Sequence, residues 1–512
     1  MNPAILLAVL LIYFLPLVLG GLSSSAITRG DFPEDFVFGS GTSAYQYEGA
    51  ALEDGRALTL WDIFTHDGKP GGGTGDVASD GYHKYKEDIK LLYNTGIEAY
   101  RLSLSWSRLL PGGRGTVNPK AVEYYNNVIN ELLKYGIPPH VTLHHMDLPL
   151  VFEQEYGGWL SPKIIDDFKE YADVCFREFG DRVTHWTTIT EPNIYAMDSY
   201  DNGRFPPNRC SYPFGKTCKE GNSTTEPYIG AHNMILSHAA AVKLYRTKYQ
   251  AIQKGKIGFN VYTIWSYPLT NSTEDKVATK RVLDFMPGWI ISPMVFGDYP
   301  EIMRKNAGSR LPSFTESESK EVKGSFDFLA INYYFSIFVA DNPNASKMAV
   351  RDINADMFAK FTVFEDDKPI PQLLPPGRIP NKPLGLLKML KHIKTTYGNP
   401  PIYIHENGCG LGESDTLNDT WRITYIGDHI GSIHKALRDG SDVRGYFTWS
   451  FLDVFELLAG YKSRFGLYHV DFASKELTRV PKLSAQWYSD FLKNARSIKI
   501  RKVGRKAAAH QI

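Results

Sequence analysis

Thr396-Tyr-Gly-Asn-Pro-Pro-Ile-Tyr-Ile-His-Glu406 holds, in eleven residues, the end of an amphipathic helix, a glycine and a short apolar strand that stops on an acid. Glycine ends helices because it adopts left-handed backbone without a Cβ clash, and Ile-Tyr-Ile suits a buried strand. Four other stretches repeat the plan: Tyr93-Asn-Thr-Gly-Ile-Glu-Ala-Tyr-Arg-Leu-Ser103, Lys134-Tyr-Gly-Ile-Pro-Pro-His-Val-Thr-Leu-His144, Glu178-Phe-Gly-Asp-Arg-Val-Thr-His-Trp-Thr-Thr188 and Arg438-Asp-Gly-Ser-Asp-Val-Arg-Gly-Tyr-Phe-Thr-Trp449. Further strands are expected at 37–44, 255–262 and 326–332, and helices at 119–135, 162–179 and 226–248. Eight strands alternating with helices predict an α/β fold, a (β/α)8 TIM barrel. A doubly wound sheet would need a Gly-rich nucleotide turn, and none is present. No low-complexity linker interrupts 30–490, so 27–495 is expected to be a single barrel domain. The insertions at 201–227, 266–284 and 341–383 are expected to be long loops, those at the C-terminal strand ends framing a pocket.

The 512 residues carry Lys+Arg 57 against Asp+Glu 56, a formal charge of +1, with no basic field to attract nucleic acid. Residues 4–22 form an apolar run followed by small residues, which predicts a signal peptide over 1–26, no stable membrane span after its removal, and entry to the secretory pathway. Apoplast and vacuole are the expected destinations. Sequons at Asn222, Asn271, Asn344 and Asn418 agree with glycosylation on that route. Cys210 and Cys218 flank a span that a disulfide can close in an oxidising compartment, whereas Cys175 and Cys409 read as buried thiols. A basic tail occupies 496–512.

In a barrel of this kind the C-terminal strand ends converge on one site. Here they carry Arg101, His144 and His145, Glu191, Asn332 with Tyr334, Glu406 and Trp449. Two carboxylates across a cleft are the equipment of glycosidic bond cleavage: one donates a proton to the departing oxygen, the other attacks or activates water. Arg101 keeps ionised whichever glutamate it touches. His144 and His145 are adjacent on a strand and face opposite ways, so they do not share a metal. The sequence has no H-E-x-x-H, no Walker loop and no G-x-S-x-G, and neither metal nor cofactor is expected.

Thr190-Glu-Pro-Asn193, Ile404-His-Glu-Asn-Gly408, Asp35-Phe-Val-Phe-Gly-Ser-Gly-Thr-Ser-Ala-Tyr-Gln-Tyr-Glu-Gly49, Tyr100-Arg-Leu-Ser-Leu-Ser-Trp-Ser-Arg108 and Trp449-Ser-Phe-Leu-Asp-Val-Phe-Glu456 together resemble the family 1 glycoside hydrolases, in the plant β-glucosidase style. The likeness runs from about residue 31 to 488. It implies a retaining mechanism without a cofactor, with Glu191 as acid/base and Glu406 as the nucleophile that forms a glucosyl-enzyme, their carboxyls roughly 5 to 5.5 Å apart. It also implies that Gln46, His145, Glu456 and Trp449 bind glucose, and that Asn332, Tyr334 and Arg101 orient the nucleophile. Taken singly, Trp449 suits ordinary core, His145 a satisfied strand-end histidine and Gln46 a turn residue; their common placement at strand ends favours the site.

Four positions depart from the family pattern. Thr190 stands where Asn is usual, Met146 and Leu457 where Trp is usual, and His405 where Thr is usual. Thr190 and Leu457 are still expected to face substrate. These departures resemble the plant branch that passes glucose from an acyl-glucose donor to a flavonoid, phenolic or terpenoid acceptor through the same intermediate. Hydrolysis of small plant β-glucosides is the first expectation, and transglucosylation the alternative. An inactive sugar-binding homologue is disfavoured because both glutamates are present, and a myrosinase-like thioglucosidase because Glu191 is.

Overall fold

The computed structural model describes residues 27–493, apart from 363, 366, 367, 370–378, 411 and 413–416. The expected signal segment and basic tail therefore lie outside the described residues. Eight parallel strands close on themselves: β1 (Val37–Gly41), β2 (Ala99–Ser103), β3 (Pro139–His144), β4 (His185–Ile189), β5 (Lys256–Pro268), β6 (Phe328–Asp341), β7 (Ile402–Asn407) and β8 (Val443–Trp449). Each pairs with its sequence neighbour, and β8 returns to β1 through Val37 opposite Gly445 and Gly41 opposite Trp449. This is the (β/α)8 barrel that the repeated units predict.

The principal outer helices are α1 (Gly81–Thr95), α2 (Pro119–Lys134), α3 (Ile164–Phe179), α4 (Glu226–Leu244), α5 (Thr273–Phe285), α6 (Pro383–Thr396), α7 (Thr420–Arg438) and α8 (483–493). Helix α2 shows why they form. Asn118 caps it by accepting from the Lys120 amide at 3.2 Å, Pro119 occupies its first turn, and Ala121, Tyr124, Tyr125, Val128, Ile129 and Leu132 make one buried stripe. In α3, the stripe through Phe168, Tyr171, Cys175 and Phe179 does the same.

Inside the barrel, Ala99, Phe328, Ala330, Tyr403 and Phe447 pack below the site. His140 lies against His185 and Phe447 there, with ring centroids 4.2 and 4.9 Å away.

Three expectations change. The 266–284 insertion is mostly regular: β5 pairs with β6 as far as Pro268 opposite Val339, and Ser272 then caps α5 by accepting from the Asp275 amide at 3.1 Å. The 341–383 insertion includes a 3-10 turn (Pro343–Lys347), a helical turn (Ile353–Asp356) and a short strand (Ala359–Thr362) antiparallel to the outer part of β6. The first strand stops at Gly41, and Ala44–Tyr47 turns helical, which places Gln46 over the barrel mouth. Cys210 and Cys218 are bonded, with Cα atoms 5.4 Å apart, and Cys175 and Cys409 are buried free thiols, as expected. All four sequon asparagines are exposed.

Candidate active site

Local backbone at the C-terminal strand ends sets the side chains. Strict alternation along β7 would send Tyr403 and His405 into the barrel and Glu406 out toward the helices. The pairing of β7 with both neighbours slips between Ile404 and the strand's end, a bulge that brings Glu406 inward as well. Gly408 follows because any Cβ there would stand 1.8 Å from the Trp449 carbonyl oxygen. At the end of β4, Glu191 adopts φ 49°, left-handed backbone that a non-glycine residue holds at a cost of roughly 1–3 kcal/mol. Met146, beyond β3, is likewise at φ 67°.

Arg101 of β2, fully buried, spans the floor of the site. Its Nη1 donates to Glu406 Oε1, its Nη2 donates to Thr190 Oγ1 at 2.8 Å, and the same nitrogen is 3.4 Å from His145 Nδ1. Tyr334 donates its phenol proton to Glu406 Oε2 at 2.6 Å. The partner of Glu191 is different: Asn332 Nδ2 donates to its Oε1 at 2.6 Å, and Asn260 Nδ2 donates to Asn332 Oδ1 at 2.7 Å. Asn332 was expected beside the nucleophile candidate and instead touches the other glutamate. The register sets the Asn332 backbone opposite Tyr262 on β5 and Glu406 on β7, but its side chain leans to the β5 side, where the Asn260 carbonyl also accepts from the Glu191 amide at 3.1 Å.

The two glutamates sit in opposed environments. Burial first, and the charge of Glu406 second, push the Glu191 carboxyl well above the ordinary carboxylate range. Glu191 has an amide donor where Glu406 has a guanidinium and a phenol.

A cavity of about 260 Å³ opens above them, lined by Gln46, His145, Glu191, Glu406, Trp449, Glu456 and Leu457 together with Met146, Phe205, Tyr262, Tyr334 and Phe465. Gln46 Nε2 and Trp449 Nε1 each donate to Glu456 at 3.3 Å, and burial raises that carboxyl to about 8. The His145 ring stacks on Trp449, with centroids 5.7 Å apart at 11°. His144 turns the other way, toward Trp159 and Tyr195.

The four departures from the family pattern do not share one place. Met146 and Leu457 line the cavity, and Thr190 lies beneath it on Arg101. His405, the fourth, is out of reach of the cavity: its ring lies against His140, Phe328 and Phe447 in the barrel interior.

Sequence reading missed Asn260, Tyr262, Phe205 and Phe465. Asn260 alone left a signal, a polar residue within the apolar Gly258-Phe-Asn-Val261. Among the described residues no group of three His, Cys, Asp or Glu could hold a metal, and no described helix is long and apolar enough to cross a membrane.

A parallel barrel with two buried glutamates facing one cavity defines a glycosidase architecture. The chain belongs to glycosyl hydrolase family 1, whose model matches residues 28–497. It is 58% identical over 476 residues to β-glucosidase 22 of Oryza sativa subsp. japonica, covering 92% of this chain and 89% of that one. It is 53% identical over 471 residues to the cyanidin 3-O-glucoside 7-O-glucosyltransferase (acyl-glucose) of Delphinium grandiflorum, covering 91% of each. Among solved structures it is similar to the rice Os3BGlu6 β-glucosidase, a mutant in a covalent complex with Glc from GA4GE. That match has a TM-score of 0.88 and 44% identity, and covers 91% of this chain and all of that one.

Proposed function

We propose that this protein is a retaining β-D-glucosidase in which Glu406 is the nucleophile and Glu191 the acid/base. The observation that carries the reading is the asymmetry of the two carboxyls. Arg101 and Tyr334 both donate to Glu406, the setting an attacking carboxylate needs, while Glu191 is buried beside that charge and is held protonated. In the first step a Glu406 oxygen bonds to the anomeric carbon, the C1–O bond to the aglycone breaks, and the Glu191 proton goes to the departing oxygen. In the second, Glu191 takes a proton from water, whose oxygen bonds to C1 and releases Glu406. Gln46, His145, Trp449 and Glu456 bind the glucose hydroxyls and ring face, with Thr190 beneath them on Arg101 and Leu457 at the rim. Incubation with a 2-deoxy-2-fluoro-β-glucoside should leave one covalent sugar on Glu406; an unlabelled protein, or a label elsewhere, contradicts this reading.

A second reading, transfer to an acceptor, draws on the acyl-glucose glucosyltransferase relative and on Met146 and Leu457, which make the cavity rim apolar. The acyl group of an acyl-glucose donor departs from C1 as a carboxylate and needs no proton from Glu191 in the first step. Supplying such a donor with a phenolic acceptor distinguishes the two: free glucose without a new glucoside means hydrolysis. The disulfide and the four exposed sequons support passage through the secretory pathway to the apoplast or vacuole.

A further inference from the structure

Asn407 follows Glu406 at the end of β7, and its side chain lies on the opposite side of the sheet, wholly buried in the layer between barrel and helices. A primary amide there must be satisfied or it destabilises the fold, and this one is satisfied by three different elements. Asn407 Nδ2 donates to the Tyr333 carbonyl of β6 at 2.7 Å and to the Tyr425 hydroxyl of α7 at 3.1 Å. Its Oδ1 accepts from the Tyr446 hydroxyl of β8 at 2.8 Å. The Tyr425 hydroxyl in turn donates to the carbonyl of Tyr334. Tyr333, Tyr425 and Tyr446 are buried, and burial keeps the Tyr425 and Tyr446 phenols protonated and therefore able to donate.

These bonds grip both residues that define the nucleophile's geometry. One end of the network is the residue that closes the β7 bulge, and the bulge is what turns Glu406 into the cavity. The other end is the Tyr333–Tyr334 backbone, which carries the phenol that donates to Glu406 Oε2. We propose that Asn407 is a positioning residue for Glu406: its amide, held by Tyr425 and Tyr446, locks the β7 bulge to the β6 segment bearing Tyr334 and so fixes the attacking carboxylate. The inference rests on the assignment of Glu406 as nucleophile.

Two conservative variants of the full chain separate positioning from mere stability. Asn407→Asp keeps the shape and the acceptor for Tyr446 but loses the donor to Tyr333. Tyr425→Phe keeps the ring and loses the bridge to Tyr334. The measurement is the second-order rate at which a 2-deoxy-2-fluoro-β-glucoside labels Glu406, per mole of folded protein, alongside the dissociation constant for glucose. A displacement on the order of 1 Å at a reacting atom is costly, so labelling should slow by about tenfold to a hundredfold, with glucose binding changed by less than about threefold. Labelling at the wild-type rate with only a lowered melting temperature overturns the proposal, as does an equal loss of labelling and glucose affinity. If Asn407→Asp does not fold, Tyr425→Phe carries the same two outcomes. Wild-type protein that takes no label refutes the nucleophile assignment itself; a labelled wild type with equally reactive variants refutes only the role of Asn407.

Discussion

Among the described residues Glu191 forms no ion pair, and its proton is the element of the mechanism that pH reaches most directly. Because burial and the charge of Glu406 raise its carboxyl, the acid form persists above the ordinary value of about 4.3 and is lost only as pH rises further. Activity toward glucosides with poor leaving groups should therefore fall on the alkaline side. Glu191→Gln should cost about 10²- to 10⁴-fold in kcat/KM for such substrates and far less for activated aryl glucosides. Equal losses on both would contradict the acid role. At this scale the sequence was informative where a residue stands at a strand end or in the segment that follows it: Glu191, Glu406, Gln46, His145, Trp449 and Glu456 line one cavity, with Arg101 bonded to Glu406 in its floor. It was uninformative about which glutamate Asn332 would touch, because its backbone stands opposite Glu406 and only the direction its side chain takes, toward β5, brings its amide to Glu191. Asn260 went unnoticed for the same reason: its amide matters only through Asn332.

Among the elements, β7 departs furthest from what its sequence pattern implies. Period-two alternation cannot place both His405 and Glu406 inside the barrel, and only the bulge, invisible in composition, does so. Alternation itself leaves the His405 imidazole in the barrel interior, against His140, Phe328 and Phe447. Burial, reinforced by Arg101 and His185, holds its pKa well below the unfolded value of about 6.5, and burial beside His185 and His405 does the same to His140. The unfolded chain thus binds protons that the folded chain refuses, so these rings contribute stability above about pH 6.5 that is lost as pH falls below it. His405→Phe should flatten the decline of melting temperature between about pH 6.5 and 4; an unchanged slope would show that other groups govern acid unfolding. Helix α5 offers the contrary case, legible in retrospect, since Ser272 with Asp275 three residues on is an ordinary helix start within a stretch read as loop.

For the molecule as a whole, eight-fold closure followed from the repeated helix, glycine and strand units, because each unit cannot bury its apolar strand except against its neighbours. The pocket rim did not follow. Phe205 and Phe465 come from loops whose course depends on the assembled barrel, and Tyr262, though within the expected 255–262 strand, gave no sign of facing the cavity. The guanidinium of Arg101 ties the assembled parts together, reaching from β2 to Glu406 on β7 and to Thr190 and His145 beyond β4 and β3. Substitutions at Thr190 and His145 should consequently fail to add: Thr190→Asn combined with His145→Gln should deviate from the sum of the single effects on kcat/KM by about 0.5–3 kcal/mol, whereas independent sites would add. Such a shared hub constrains descent as well as design. A lineage changing its sugar preference at either position would also disturb the nucleophile's counter-ion, so compensating replacements must arrive together or in a restricted order.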